Sequence, residues 1–309
     1  MNRIVVAGSL NMDLVGVASR IPSPGETVMG QEFFQAPGGK GANQAYAAAR
    51  LGGLASMLGR VGSDDLGRIL KANLEAAGCD AKHVKTVPGS SGVALISIDA
   101  AGQNSILVAP GANALYAPVD FEQDAAALAG AGLLLLQLEI PIETVMAAAS
   151  AGRRAGARVI LDPAPAAQVL PAELCRQVDI LTPNEVEAAQ LAGVSAGRLS
   201  LEDAEAIAAR LLSTGVGAVI VKLGAQGCLV ADGQTMSRVA APVVEAVDTT
   251  AAGDVFNAAL AVALAEQAAL LDACRFAVHA AALSVTRRGA QPSMPLREEV
   301  DRSMSGALA

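Results

Sequence analysis

The sequence predicts a three-layer α/β/α domain with a mostly parallel central sheet, to which a small β-sheet lid is added. Short runs of Val, Ile and Leu alternate along the 309 residues with longer Ala-rich stretches of helical pattern. The short runs lack the alternation of apolar and polar residues seen in half-exposed strands, so they fit strands covered on both faces. Strands that alternate with helices indicate βαβ units, and therefore a parallel sheet between two helical layers.

Five runs are clear candidates for buried strands, and five stretches are clear candidates for helices. The strands are expected at residues 3–8, 133–138, 158–162, 179–181 and 218–223. The helices are expected at residues 42–51, 64–77, 142–155, 184–191 and 201–213. Since no linker or internal repeat divides the chain, we expect residues 1–309 to form a single domain.

Two segments interrupt this alternation, at about residues 14–36 and 91–108. The first contains the turn Pro22–Gly25, and the second has the pattern of a hairpin between Val93–Ile98 and Ser105–Val108. A sheet this small seldom buries its apolar face alone. We therefore expect a lid sheet that closes over a substrate, packs on a second subunit, or does both.

Composition excludes several classes of partner. The net charge of −8 argues against nucleic acid and anionic membranes, because an acidic surface repels phosphate. Aromatic residues make up 2% of the chain, too few for a base-stacking platform. The longest apolar run, 252–265, is interrupted by Asp254 and Asn257, so no membrane span is expected. Four cysteines without CxxC pairing suggest reduced thiols in a cytoplasmic protein.

The strongest chemical signal is the segment Val247–Asn257, in which small residues precede an Ala-rich helical run. Free N–H groups and the positive dipole end make such a helix start a binding site for an anion. Asp254 would lie in the first turn, where it could simply stabilise the helix. A carboxylate beside an anion site is also what phosphoryl transfer to an alcohol requires.

A second signal is the glycine-rich segment Ala36–Ala45. Its glycines permit close approach of backbone to a ligand, while Lys40 and Asn43 offer donors to hydroxyl groups. The segment matches neither GxxxxGK[ST] nor a GxGxxG fingerprint directly after a strand, so neither common nucleotide motif is present. Taken alone, it could be a plain turn before a helix.

Together, Gly38–Asn43 and Asp248–Asp254 resemble the two signatures of the PfkB-type carbohydrate kinases. Further matching segments occur in the expected order along nearly the whole chain: Gly8–Asp13, Pro24–Thr27, Gln137–Glu139, Asp162–Pro165, Thr182–Glu187 and Arg287–Ser293. The resemblance implies ATP-dependent phosphorylation of D-ribose at O5, which gives ribose 5-phosphate. Deoxyribose, a ketohexose or a nucleoside are the alternative acceptors. A sugar sensor without activity and a dehydrogenase are the less favoured alternatives from other classes.

The resemblance also implies roles for individual residues around the reacting groups. Asp254 corresponds to the catalytic base, and the N–H groups of Ala251, Ala252 and Gly253 to an anion hole. The residues that would hold the sugar, together with Asp254, are Asn11, Asp13, Gly39, Lys40, Asn43 and Glu139.

On the nucleotide side, the similarity implies that Asn184 and Glu187 organise Mg²⁺ around the phosphates of ATP. Gly253 and the strand-and-glycine turn would flank the nucleotide; the residues of that turn are Lys222, Leu223, Gly224, Ala225, Gln226 and Gly227. Lys222 departs from the small hydroxylated residue usual there. Val278 falls at the position near adenine, whereas His279 is expected to pack within its helix.

The family also uses a monovalent cation, usually K⁺, beside the anion hole. The positions that match this site, mostly through backbone carbonyls, are Asp248, Thr250, Ser284, Arg287, Gly289 and Ser293. A cation there would stabilise the loop that carries the anion hole. The resemblance further suggests a homodimer formed through the lid sheet.

Overall fold

A nine-stranded sheet forms the centre of the computed structural model, which describes residues 1–166, 169–195, 197 and 199–306. In spatial order its strands are β13 (Met236–Val239), β12 (Cys228–Ala231), β11 (Ala218–Lys222), β10 (Ile180–Leu181), β9 (Arg158–Leu161), β8 (Ala131–Leu136), β1 (Arg3–Ala7), β4 (Ala55–Gly62) and β5 (Asp80–Val87). All neighbouring pairs are parallel except those that join β12 to β11 and to β13. The mostly parallel sheet is thus confirmed.

Helices cover both faces of this sheet. Within the described residues they are α1 (Lys40–Arg50), α2 (Asp65–Ala76), α3 (Pro118–Asp124), α4 (Ile142–Arg154), α5 (Ala172–Cys175), α6 (Glu185–Leu191), α7 (Leu201–Leu212), α8 (Ala252–Ala265), α9 (Leu270–Ser284) and α10 (Arg297–Met304). Short 3₁₀ turns lie at Gly111–Leu115, Ala125–Leu128, Gly224–Gln226 and Gln291–Ser293.

Side chains of β1 alternate between two separate apolar cores. Ile4 and Val6 pack in a cluster with α1, α8 and α9, whereas Val5 and Ala7 pack with α3, α4 and α7. Successive side chains of a strand point to opposite faces, so a strand that is apolar throughout needs a helical layer on each side. The expected three-layer arrangement is therefore confirmed.

Helix α8 is an example of how the alanine-rich composition is used in the core. Every residue from Asp254 to Ala265 is buried, because the helix packs against the sheet, α1 and α9. A helix enclosed in this way accommodates small side chains that let the neighbouring elements approach closely. Its N-terminus consequently occupies a fixed position at the edge of the sheet.

A separate four-stranded sheet, which we call the small sheet, has the order β3 (Gly30–Gly38), β2 (Asn11–Ala18), β6 (Gly92–Ile98) and β7 (Asn104–Ala109). Strand β2 pairs parallel with β6, while β2–β3 and β6–β7 are antiparallel. The expected small sheet is confirmed, and both of the interrupting segments contribute to it. Asn11 and Asp13 belong to the start of β2, because β1 ends at Ala7 and the chain crosses to the small sheet within three residues.

None of the helices in the described part of the chain combines the length and apolarity needed to cross a membrane.

Candidate active site

A cleft of about 570 Å³ opens beside the ends of β9 and β11 and the N-terminus of α8. Its walls come from residues far apart in sequence, among them Lys40, Asp162, Glu187, Lys222 and Asp254. In open α/β sheets, ligands bind at the carboxyl ends of the parallel strands, where the connecting loops converge. This cleft is therefore the candidate active site.

Asp254 lies in the first turn of α8, with both carboxylate oxygens held by amides of α1. Its Oδ2 accepts from Asn43 Nδ2 at 3.0 Å, and its Oδ1 accepts from Gln44 Nε2 at 3.1 Å. These amides are themselves fixed, since Gln291 donates to Asn43 Oδ1 and Gln137 donates to Gln44 Oε1. Each carboxylate oxygen keeps a further lone pair, so the group is oriented and still able to accept a proton.

The environment of Asp254 raises its pKa from 3.8 to about 6. Burial is the largest cause, because it disfavours the charged carboxylate. The Lys40 ammonium opposes this shift, while the nearby carboxylate of Asp162 adds to it. A buried carboxylate with a pKa just below neutrality suits a general base that works near pH 7.

The backbone immediately before Asp254 turns sharply. Ala251 is left-handed, with φ 59° and ψ 11°, a conformation that disfavours a residue with a Cβ. In the described chain, no acceptor bonds the N–H groups of Ala251 and Gly253, and Ala252 makes only a 3.3 Å turn bond to Thr249. The strained turn and the helix start together offer a group of amides to an anion.

A second cluster of polar groups surrounds Glu139, next to the start of β2. Glu139 Oε2 accepts from the Ser9 hydroxyl, from Lys40 N at 3.1 Å and from Asn11 Nδ2 at 3.5 Å. Asn113 then donates to Asn11 Oδ1 at 2.7 Å. The sequence-predicted residues Asn11, Lys40 and Glu139 are thus brought together.

Asp13 follows on β2 and lies against the glycine-rich segment. A Cβ on Gly38 would come within 2.6 Å of Asp13 Oδ2, so only glycine leaves room for this carboxylate. Burial, followed by the negative charges of Glu139 and Asp254, raises the pKa of Asp13 to about 7. The negative charges of these neighbours therefore disfavour ionisation of Asp13.

Gly39 and Lys40 form the junction between the small sheet and α1. Gly39 has φ 87°, a conformation that favours glycine, and a Cβ there would lie only 2.6 Å from Asn11 N. Both the backbone conformation and the lack of space therefore require glycine at this turn. Burial alone would lower the pKa of Lys40, but Asp254 and other surrounding carboxylates raise it above its usual value. Lys40 therefore remains a fixed positive charge beside Asp254.

Asn184 and Glu187 form a reciprocal cap at the start of α6. Asn184 Oδ1 accepts from Glu187 N at 2.9 Å, and Glu187 accepts from Asn184 N at 2.8 Å and from its Nδ2 at 2.9 Å. The cap holds the Glu187 carboxylate on the cleft wall. Burial raises the pKa of Glu187, an effect that the Lys222 charge opposes. A buried carboxylate and an amide oxygen suit a water-bearing Mg²⁺.

Lys222 is the last residue of β11 and reaches into the cleft. Its Nζ pairs with Asp162 Oδ1 at 3.0 Å, and Asp162 Oδ2 accepts from Gln44 Nε2 at 3.1 Å. Of the turn that follows, Gly224, Ala225 and Gly227 line the cleft, whereas Leu223 is buried in the core and Gln226 offers its carbonyl to Arg238.

The outer part of the cleft is apolar. Its lining includes Val243, Val244, Val278 and Val285. His279 bonds Ser303 through Nδ1 at 2.8 Å and does not line this wall, as expected of a packed helix histidine. Such a wall suits the flat apolar faces of a nucleobase.

The loop before α8 is hydrogen-bonded to the segment that follows α9. Asp248 accepts from Thr250 N at 2.9 Å and from Gly289 N at 2.8 Å. In the described chain, no hydrogen bond reaches the carbonyl oxygens of Asp248, Thr250, Arg287 or Gly289. Uncharged carbonyl oxygens are the ligands that replace water around K⁺, so these positions fit such an ion.

Two other residues expected at that cation site are engaged elsewhere through their side chains. The Ser284 hydroxyl donates to Ala281 O and the Ser293 hydroxyl to Ala290 O, both at 2.8 Å. The Arg287 guanidinium pairs with Glu299. These three residues would therefore bind the cation through their backbone carbonyl oxygens or, for the two serines, through a lone pair of the hydroxyl oxygen.

Sequence reasoning missed several side chains that hold the cleft together. Gln44 and Asp162 connect Asp254 to Lys222, and Ser9 and Asn113 support Glu139 and Asn11. For Asp162 a signal existed, because a carboxylate that directly follows a buried parallel strand lies at the ligand-binding edge. Asn113 gave no signal, since its contact spans more than a hundred residues.

The fold and the site define a phosphotransferase of the carbohydrate kinase class. Residues 1–297 match the family described as pfkB family carbohydrate kinase. The chain belongs to this family.

Three relatives are similar to the chain over nearly its whole length. The chain is 40% identical over 297 residues to a protein named ribokinase from Haemophilus influenzae, with 96% of each chain covered. It is 37% identical to a deoxyribokinase of Salmonella typhi, with 98% of each covered. Its structure resembles that of Arabidopsis thaliana ribokinase complexed with ribose and ATP, with a TM-score of 0.91, 36% identity and coverage of 97% and 98%.

Proposed function

We propose that the protein transfers the γ-phosphoryl group of ATP to O5 of D-ribose and forms ribose 5-phosphate and ADP. The observation that carries this proposal is the position of Asp254, an oriented buried carboxylate next to the amides of Ala251 and Gly253, which have no acceptor among the described residues. The named activity of the relatives, and the ribose and ATP bound in the plant structure, support the same reaction.

Asp254 acts as the general base. It accepts the proton of the ribose primary hydroxyl as O5 forms its bond to the γ-phosphorus and the bond from that phosphorus to the β,γ-bridging oxygen breaks. With a pKa of about 6, the carboxylate is mostly ionised at pH 7 and still basic enough to bind the proton in the transition state. Asn43 and Gln44 keep it aimed throughout.

The amides of Ala251, Ala252 and Gly253 stabilise the charge on the transferring phosphoryl group. Their small or absent side chains leave the backbone open to the phosphate oxygens. Because the left-handed turn at Ala251 fixes them before substrate binds, little reorganisation is needed in the transition state.

The Glu139 cluster and Asp13 bind the sugar hydroxyls. Asn11 supplies both a donor and an acceptor, while Asp13 and Glu139 supply acceptors. Gly39, Lys40 and Asn43 complete the site beside Asp254. A nucleoside would need an apolar pocket for its base on this side, where the chain instead gathers carboxylates and amides.

Two cations complete the proposal. Asn184 and Glu187 would hold Mg²⁺ through water; when bound, the ion neutralises charge on the phosphates. The carbonyls of Asp248, Thr250, Arg287 and Gly289, with Ser284 and Ser293 nearby, would hold K⁺ and stabilise the loop before α8. The glycine turn after Lys222 and the valine wall would bind the rest of the nucleotide.

The test is a coupled assay with ATP and Mg²⁺, with and without K⁺, on ribose, deoxyribose, fructose and adenosine. We expect the highest kcat/KM for ribose, and a loss of about tenfold or more for deoxyribose, because a polar site is left unpaired when a hydroxyl is missing. K⁺ should raise the rate. If ribose were the poorest of the four acceptors, the substrate assignment would fail.

We also propose that two copies pair through the small sheet and that this sheet covers the sugar site. Ile106 is 53% exposed and Phe34 41% exposed, and both lie on the face of the sheet that carries Asp13. An apolar face that continues into a polar site is efficiently covered by a second copy of the same sheet. Four free, buried thiols fit a reducing compartment, and we propose the cytoplasm.

A further inference from the structure

We propose that the ammonium group of Lys222 binds the γ-phosphate of ATP and is, with Lys40, one of two lysine side chains that supply positive charge in the cleft. The proposal rests on the kinase function proposed above and assigns a specific contact to a residue that otherwise only flanks the nucleotide. Its basis is the position of Lys222, the balance of charge in the cleft and the distance from Lys222 to the helix start.

Lys222 is held in place from both ends. Its backbone N–H donates to Pro183 O at 2.8 Å, and its side chain, 12% exposed, ends in the ion pair with Asp162, which is 3% exposed. An unpaired ammonium would be costly at this depth, and the ion pair with Asp162 compensates for its burial. Lys222 therefore needs little reorganisation to meet an anion.

The cleft is acidic, although the proposed substrate is an anion. Of the residues that line it, those with carboxylates are Asp162, Glu185, Glu187 and Asp254, and those with ammonium groups are Lys40 and Lys222. The backbone N–H of Lys40 donates to Glu139 on the sugar side, and the carboxylates of Asp254, Asp162 and Glu139 compensate its ammonium group. Lys222 is thus the ammonium group available on the nucleotide side, where bound phosphates most need compensation.

The contact is assigned to the γ-phosphate because Lys222 reaches the N-terminus of α8. A Cβ built on Gly253 would lie 3.3 Å from Lys222 Nζ, which places the ammonium beside the residue that precedes Asp254. Since Asp254 must reach the hydroxyl that attacks the γ-phosphorus, groups next to Gly253 face the transferring phosphoryl group. The β- and α-phosphates extend away from Asp254 toward the glycine turn.

The experiment is isothermal titration calorimetry in Mg²⁺ buffer with three nucleotides that differ by one phosphate each: the β,γ-methylene analogue of ATP, ADP and AMP. We expect Lys222→Met to weaken the ATP analogue by about 10- to 100-fold, as for the loss of a charge-assisted contact. ADP should change less than threefold, and AMP should be unchanged. Lys82→Met removes an ion-paired lysine outside the cleft and should change none of the three.

The double variant Asp162→Asn with Lys222→Met separates phosphate binding from simple charge balance. In Lys222→Met alone, the unpaired Asp162 carboxylate would itself repel phosphate. If Lys222 binds the γ-phosphate, the double variant, which lacks that carboxylate, remains at least tenfold weaker for the ATP analogue. If the single variant fails to fold, the double variant provides the same test. Unchanged affinity for AMP would show that its cleft is intact.

Three results would overturn the assignment: full affinity for the ATP analogue in the single variant, recovery in the double variant, or equal losses for the ATP analogue and ADP. In each case a wild-type protein that still phosphorylates ribose would leave the proposed function intact. A wild-type protein that bound no ATP and phosphorylated no ribose would overturn both.

Discussion

The two sides of the cleft are built differently around Asp254. On the side assigned to the sugar, polar side chains from distant segments bond one another, as Asn113, Asn11 and Glu139 do. On the side assigned to the nucleotide, the walls are valines and a glycine turn, and the polar groups are backbone amides, one ion pair and one helix cap.

We infer that substrate selectivity originates on the sugar side and that the rate is set at the boundary where Asp254 lies. A site that recognises sugar hydroxyls needs donors and acceptors that are in place before binding. Each polar group that is removed from water without a hydrogen-bond partner costs binding free energy. A side that holds a triphosphate needs charge compensation and room for close approach of backbone. Changes on the sugar side should therefore alter substrate binding, and changes at the boundary should alter turnover.

The largest effect is expected at the boundary, for Asp254→Asn. The amide cannot accept the proton of the attacking hydroxyl, so kcat should fall by about 10² or more. Ribose binding, measured by calorimetry, should persist because the Asn11 and Glu139 contacts remain. Asp272→Asn, an exposed first-turn acid of α9, is the control and should leave kcat unchanged. Normal turnover in Asp254→Asn would reject this carboxylate as the base.

A smaller effect is expected for Asp13→Asn, on the sugar side. The KM for ribose should rise about tenfold or more while kcat changes less, because a ground-state acceptor is lost. An equal loss of kcat with unchanged KM would contradict the separation between the two sides.

The same variant should become more stable, with a definite dependence on pH. The pKa of Asp13 rises from 3.8 unfolded to about 7 folded, so the ionised form opposes folding above pH 7 and the penalty vanishes below about pH 4. Asp13→Asn should therefore increase the unfolding free energy at pH 8 by about 2–4 kcal/mol and raise Tm accordingly. At pH 4 the two proteins should melt alike, and a stabilisation equal at both pH values would exclude charge as its cause.

The smallest effect on activity is expected in β7, an edge strand of the small sheet. Ile106→Glu places a charge on the face that carries Asp13 and should convert a dimer to monomers, with a few-fold loss in kcat/KM for ribose. Leu107→Glu is the matched control, because the neighbouring residue of β7 points to the opposite face. Sedimentation should show dissociation for the first variant alone, and a monomeric wild-type protein would exclude the proposed pairing.

The pattern of apolar residues along the sequence predicts much of the fold. Continuous apolar runs such as 133–138 identified buried parallel strands to within three residues of β8. The apolar pattern does not predict strand β4, because its segment ASMLGRVG mixes glycines and an arginine with few branched apolar residues, yet β4 is an interior strand whose residues are all buried. Its Arg60 is accommodated by a buried ion pair with Asp124, a tertiary contact that local pattern does not encode.

The candidate site was predictable where one segment carries several functional groups. The helix start around Asp254 and the glycine-rich segment both stand out from their residue types alone. The partners that orient them could not be found in this way, since Gln44 meets Asp254 across more than two hundred residues. Lys222 is an intermediate case, visible as a charge at the end of an apolar strand, with its partner Asp162 sixty residues away.

A crystal structure with ribose and the β,γ-methylene analogue of ATP would show directly whether Asp254 is placed to act as the general base. We expect a carboxylate oxygen of Asp254 within about 3 Å of the ribose O5, with the terminal phosphate over the amides of Ala251 and Gly253. An Asp254 carboxylate turned away from O5, with no water bridging the two, would contradict its role as the base.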